Sequence, residues 1–254
     1  MKASIGAGVL LGLLLACSAL PAETPDPEAL RLAIEDLCVT FPEEYPEGPA
    51  YLDRLDTLLG TGDSSGLHQL QREALLDNPL LRFDRLLIIK RSEKQHGLVQ
   101  NWQSNSCLPR LGIDNEIAIL SGPFTDPVLT TLYRPTRKVF VGDLNLDFDA
   151  SRILFSSVDR AGRWQIFEMD SAGGAPSPLT LIAEADVDNY EGCYLPDGNI
   201  IFASTAPFVG VPCVTGSSHV SNLYRYDRDT GAIRRLTFEQ DHNWCPTVLP
   251  NGRI

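Results

Sequence analysis

The sequence predicts a mainly β protein: an incomplete β-propeller of about three blades, preceded by a small helical segment. Two observations carry this. The apolar period changes from helical to alternating near residue 90, and beyond it two signatures recur, interleaved, about fifty residues apart. The composition agrees. With 43% hydrophobic and 21% charged residues the chain has a globular balance, and 18 prolines with 20 glycines favour many turns and short elements over a helical bundle. The formal charge of −12 and the lack of any run of four basic residues disfavour a nucleic-acid or anionic-membrane surface.

Residues 1–17 read as an address. Met1-Lys2 is a minimal positive end and residues 5–16 are apolar. At 1.5 Å per residue this run is too short for a bilayer core of about 30 Å, as expected of a signal-peptide core. Leu14-Leu15-Ala16-Cys17 has the form of a bacterial lipobox, with Cys17 as the lipidated residue. The alternative is ordinary cleavage after Ala22. Either way the chain is expected to be exported, to the periplasm or cell envelope, touching a membrane only through a lipid anchor.

Residues 18–90 form the helical segment. Leu30, Ile34, Leu37 and Cys38 recur at helical spacing over 28–39, the pattern returns over 51–59, and 64–76 give a third helix. Asn78-Pro79 stops helix formation, and 86–90 read as a short apolar strand.

Residues 91–254 form the propeller fragment. The run from Phe148, Phe-Asp-Ala-Ser-Arg-Ile-Leu-Phe, matches that from Leu195, Leu-Pro-Asp-Gly-Asn-Ile-Ile-Phe, and a third copy begins at Leu249. Between them, Gln165-Ile166-Phe167 leads to Leu179-Thr180, and Asn222-Leu223-Tyr224 to Leu236-Thr237, with a weaker forerunner at Glu116-Ile117-Ala118. Glycine at the turns supplies positive φ, and no such unit buries both its faces alone, so successive blades must pack together. A closed propeller usually needs at least about four blades. The expectation is therefore a fragment truncated at its C-terminal side.

The Asp-Gly turn followed by Ile-Ile-Phe, with Leu223-Tyr224-Arg225-Tyr226-Asp227 and Arg235-Leu236-Thr237, resembles the TolB-type propeller repeat. Longer strings resemble the middle, propeller domain of the hydrazine synthase alpha subunit over roughly residues 80–254. They are Asn101-Trp102-Gln103-Ser104-Asn105, Val187-Asp188-Asn189-Tyr190, Cys193-Tyr194-Leu195-Pro196-Asp197-Gly198, Gly210-Val211-Pro212-Cys213 with His219, and Asp241-His242-Asn243-Trp244-Cys245-Pro246-Thr247. That family condenses nitric oxide and ammonium into hydrazine, using c-type haems and a zinc near one of them. The resemblance implies a propeller, an envelope compartment, and other subunits of an envelope redox complex as partners. This chain departs from the family in having no Cys-x-x-Cys-His, so no haem attachment motif is present. Two readings follow: a binding or scaffolding domain, or a fragment of a metal- or haem-dependent oxidoreductase whose catalytic segment lies beyond residue 254.

The candidate site residues are Cys193, Cys213, His219, His242 and Cys245, in loops that the repeat directs to one end of a propeller. Thiolate and imidazole ligands suit zinc. The competing readings are a disulfide, which export permits, and buried thiols. Trp102, Tyr190 and Trp244 are expected to pack between blades rather than cage a ligand. No Gly-x-Ser-x-Gly, phosphate loop or His-Glu-x-x-His occurs, leaving hydrolase and nucleotide-binding readings without support.

Overall fold

A computed structural model describes residues 25–99, 103–179 and 181–254. The leader with Cys17, and Asn101, Trp102 and Thr180, lie outside the described residues. The chain divides into two compact units, Met1–Phe83 and Asp84–Ile254.

The first unit holds three helices, α1 (Pro27–Thr40), α2 (Gly48–Thr61) and α3 (Ser64–Leu76). The Asp26 carboxylate caps α1 by accepting from the amides of Glu28 and Ala29, and Asp63 caps α3 through the Gly66 amide. Helix α2 starts three residues before the apolar pattern because Pro49 suits a first turn, and it ends at Gly62 in the left-handed region, φ 70°. Leu30, Ile34, Leu37, Leu55, Leu67, Leu70 and Ala74 form the core with Tyr45, whose hydroxyl donates to the Ala74 carbonyl at 2.8 Å.

The second unit is built of three antiparallel sheets. The first contains β1 (Arg85–Lys90), β2 (Glu116–Ser121) and β3 (Val128–Tyr133). The second is the meander β4 (Val141–Leu146), β5 (Arg152–Val158), β6 (Trp164–Asp170) and β7 (Ser177–Pro178). The third repeats it as β8 (Asn189–Tyr194), β9 (Ile200–Ser204), β10 (Asn222–Tyr226) and β11 (Ile233–Arg235). The protein is thus mainly β, with three successive blade-like sheets that do not close into a ring. Strand β1, expected from sequence beside the helices, pairs along its full length with β2 and belongs to the first sheet.

The repeat is a repeat of hydrogen bonds. The Leu195 amide donates to Asn199 O at 2.8 Å and Gly198 to Leu195 O; the Leu249 amide donates to Arg253 O at 2.7 Å and Gly252 to Leu249 O. The first copy has one more residue in its turn, with Asp147 donating to Arg152 O, and Ala150 takes φ 54° where the others use Gly198 at 81° and Gly252 at 77°. Between the second and third sheets, buried Trp164 meets Phe140 edge-on at 4.9 Å and Tyr190 at 6.5 Å. Leu154, Ile166, Tyr194, Ile200 and Phe202 extend the packing outward. Tyr190 therefore packs as expected.

Candidate functional site

The innermost strands of the second and third sheets, β4 and β8, each carry a bulge. The β4–β5 register slips between Gly142 and Asn145, and the β8–β9 register between Tyr190 and Cys193. In each bulge one residue lies in the left-handed region: Asp143 at φ 53° and Glu191 at φ 55°. Cys245, φ 49°, takes the same conformation 54 residues after Glu191, as Glu191 does 48 residues after Asp143. Such a backbone costs a residue other than glycine roughly 1 kcal/mol or more and persists only where the surroundings hold it. Here it recurs three times, at one position of the repeat.

These three residues line one cavity of about 170 Å³, together with Leu144, Asn145, Gly192 and Pro246. Asp143 accepts from Asn105 Nδ2 at 2.6 Å. Glu191 Oε2 accepts from the Cys245 amide at 2.6 Å, and the Cys245 thiol lies 3.6 Å from Oε1. The Glu191 amide donates to Ser156 Oγ at 2.8 Å. Among the described residues neither carboxyl group is in an ion pair with Lys, Arg or His.

The electrostatics follow from that geometry. Burial raises the Asp143 carboxyl above its usual range, against the pull of its hydrogen bonds to Ser156 and Asn105 and the more distant charge of Arg91. Burial and then the neighbouring Asp143 push Glu191 up to about 7, against the two bonds from Cys245. Burial, with Glu191 and Asp143 adding, pushes the Cys245 thiol up to about 12. A thiol so disposed is not a nucleophile at neutral pH. The cavity can hold a proton or a cation; it does not present an activated sulfur.

The residues singled out by sequence do not gather at this cavity. Cys193 is buried two residues along β8, its thiol 3.8 Å from Asn145 Nδ2. His242 Nδ1 accepts from the Ser221 amide at 3.1 Å, and its ring stacks on Trp244 at 4.8 Å. Cys213 sits exposed in a short 3₁₀ turn, Pro212–Val214, and exposed His219 bridges to Gly210 in the same insertion. Of the five only Cys245 lines the cavity.

All five described cysteines are free thiols, and no three His, Cys, Asp or Glu side chains among the described residues stand close enough to hold a metal ion. Neither the expected zinc ligand set nor the expected disulfide is assembled. The reason is directional: Cys193 faces Asn145, Cys245 faces Glu191, and Cys213 faces solvent. The Asp188 carboxylate accepts from both terminal guanidinium nitrogens of Arg110, at 3.0 and 2.9 Å, and from the Trp164 amide. Asp143 and Glu191 were not evident in the sequence, although counting one repeat back from Cys245 and then another reaches both.

No family model matches the chain, and no curated protein matches it. Among solved structures it is similar to TolB from Acinetobacter baumannii, with 22% identity and a TM-score of 0.41 over 55% of this chain and 30% of that one. A putative TolB from Agrobacterium tumefaciens gives 22% and 0.39, over 55% and 46%. A Mycobacterium tuberculosis puromycin-hydrolyzing peptidase gives 17% and 0.40, over 65% and 22%. The chain spans less than half the length of each. Its structural neighbours thus include β-propeller proteins of the TolB type.

Proposed function

We propose that this chain is an exported propeller domain that binds rather than transforms its ligand, as part of a larger envelope protein or redox complex. One observation carries the reading: Asp143 in β4, Glu191 in β8 and Cys245, spaced one repeat apart, hold the same strained conformation and line one cavity. Strain kept at a single repeat position is characteristic of ligand sites. Two buried carboxyl groups without an ion-pair partner favour a small cationic group, which would replace the proton on Glu191. The thiol, held protonated, serves as a wall and a hydrogen-bond donor. A redox setting is supported by the resemblance to the hydrazine synthase alpha subunit alone.

Ethylammonium is a sufficient probe. Calorimetric titration is expected to show binding at pH 8 that weakens about tenfold at pH 6, because below about 7 the ligand must displace a proton from Glu191. Glu191→Gln is expected to weaken binding and remove the pH dependence. Absence of binding at both pH values, or unchanged binding by Glu191→Gln, would refute the reading.

Export is tested separately. The lipobox ending at Cys17 predicts incorporation of labelled fatty acid in cells, abolished by Cys17→Ser. An unlabelled wild-type chain cleaved after Ala22 would exclude the lipid anchor.

A further inference from the structure

The chain itself plugs the junction between the second and third sheets. Phe202 stacks on Tyr224 there at 5.8 Å. Buried Leu181 and half-buried Ile182, from the loop joining β7 to β8, pack into the same cluster as these rings. Arg163 ties that loop down, donating from Nη1 to the Ala183 carbonyl at 2.7 Å.

One blade earlier the same floor has no plug. Phe155 pairs with Phe167 as Phe202 pairs with Tyr224, and their rings stack at 5.6 Å. Tyr133, the last residue of β3, tilts against Phe155 at 5.5 Å. In the ladders Tyr133 stands across from Ile117, and the Leu179 amide bonds to the equivalent Ile166. Two and three residues further on come Pro135 and Thr136 in one loop, Leu181 and Ile182 in the other. The branched apolar pair is therefore missing from the first of the two junctions. What remains between the first and second sheets is an open cleft of about 620 Å³. Small-molecule sites run from roughly 300 to 1,000 Å³. Tyr133, Val139, Val158 and Phe167 give this cleft an apolar interior, and Pro176 and Pro178 extend it.

Its charge is cationic. Arg137 and Arg160 line the cleft and are exposed, and among the described residues neither forms an ion pair. Arg137 Nη1 donates to a backbone oxygen, that of Asp159, at 3.3 Å. Asp159, the only acid among the described residues that line the cleft, commits its carboxylate to Arg163 at 2.8 and 3.1 Å. Two uncompensated guanidinium groups thus flank an apolar hollow in a chain of formal charge −12.

We infer that this cleft binds a medium-chain aliphatic monocarboxylate. Its hydrocarbon chain takes the place that Leu181 and Ile182 fill one blade on, and Arg137 and Arg160 hold its carboxylate. The guanidinium fork matches a carboxylate in shape and charge. An uncharged hydrocarbon leaves both arginines unused, and a wholly hydrophilic anion leaves the apolar interior in water. The cleft shares no residue with the cavity of Asp143, Glu191 and Cys245, so the two sites stand or fall separately.

Octanoate is the probe. Titrated into the purified chain in a calorimeter, it is expected to bind saturably at one equivalent. 1-Octanol, which keeps the chain and lacks the charge, is expected to bind about tenfold more weakly. The double substitution Arg137→Gln with Arg160→Gln, at exposed positions, is expected to keep the circular dichroism spectrum. It is expected to weaken octanoate about tenfold and to leave 1-octanol unchanged. Saturating ethylammonium is expected not to compete, which separates this site from the cation site. A photoreactive diazirine analogue of octanoate is expected to label the chain within residues 133–178. Absence of saturable binding, equal affinity for octanoate and 1-octanol, unchanged octanoate binding by the double variant, or labelling outside 133–178 would overturn the inference.

Discussion

Trp164→Ala is expected to destabilise the protein by about 3–5 kcal/mol, the range for deleting a fully buried large aromatic. Trp164 is 0% exposed and is the largest side chain buried between the second and third sheets. It touches Phe140, from the loop entering β4, and Tyr190, on β8, so its removal opens a cavity where two blades meet. The backbone around Trp164 resists collapse, since β5 and β6 pair without interruption from Arg152–Asp170 to Val158–Trp164. Against a typical total of about 5–15 kcal/mol, this loss is a large share. Trp164→Phe is the useful contrast. The indole Nε1 has no hydrogen-bond partner among the described residues, so phenylalanine sacrifices volume but none of the described hydrogen bonds and is expected to cost less than half as much. Urea unfolding of the three proteins, read by circular dichroism, checks both. A loss below about 1 kcal/mol for alanine would show that the blades are not packed through Trp164.

Glu191→Gln is expected to stabilise the protein at alkaline pH. Glu191 has its pKa raised from 4.5 to about 7 by burial and then by Asp143. The folded state therefore binds this proton more tightly than the unfolded chain. The stability this proton provides is complete below pH 4.5 and is lost as pH rises through about 7. A shift from 4.5 to about 7 corresponds to at most about 3 kcal/mol. Glutamine keeps an oxygen for the Cys245 amide but never ionises beside Asp143. The wild type is expected to lose melting temperature between pH 5 and pH 8, and the variant to lose markedly less and melt higher at pH 8. Parallel pH profiles for the two proteins would contradict the assignment. The stabilising direction also separates this role from simple packing, which most substitutions at buried positions weaken.

The helices were legible residue by residue, because amphipathic spacing and capping act within a few residues of each other. The apolar spacings over 28–39, 51–59 and 64–76 each fall inside a helix, and the structure adds Asp26 and Asp63 as N-caps and Gly62 as a C-cap. The blades were legible through repetition: Leu-Pro-Asp-Gly at 195–198 and Leu-Pro-Asn-Gly at 249–252 each report a turn whose glycine takes positive φ. Where Ala150 replaces the glycine and the turn lengthens by one residue, the alignment by letters still matched but the turn geometry was hidden. The strand at 86–90 was visible as a strand, but its partner lies 25 or more residues away, and only the pairing of β1 with β2 assigns it to a blade.

The candidate site was half legible. The repeat located the entry to each inner strand, and Cys245 lies there. Attention to cysteine and histidine as ligands passed over Asp143 and Glu191, since carboxylates scattered through a chain with 33 acidic residues carry no signal singly. By itself the sequence determined the helical segment, the blade repeat and the turns, because these rest on local periodicity and on backbone conformations that few residues adopt. The tertiary structure alone decided which side chains meet. A bulge in β4 and another in β8 hold Asp143 and Glu191 at positive φ, and with Cys245, which shares that conformation, they line one cavity while Cys193, two residues on from Glu191, points to Asn145. Such directions depend on how neighbouring blades press on a strained backbone, and no spacing along the chain encodes them.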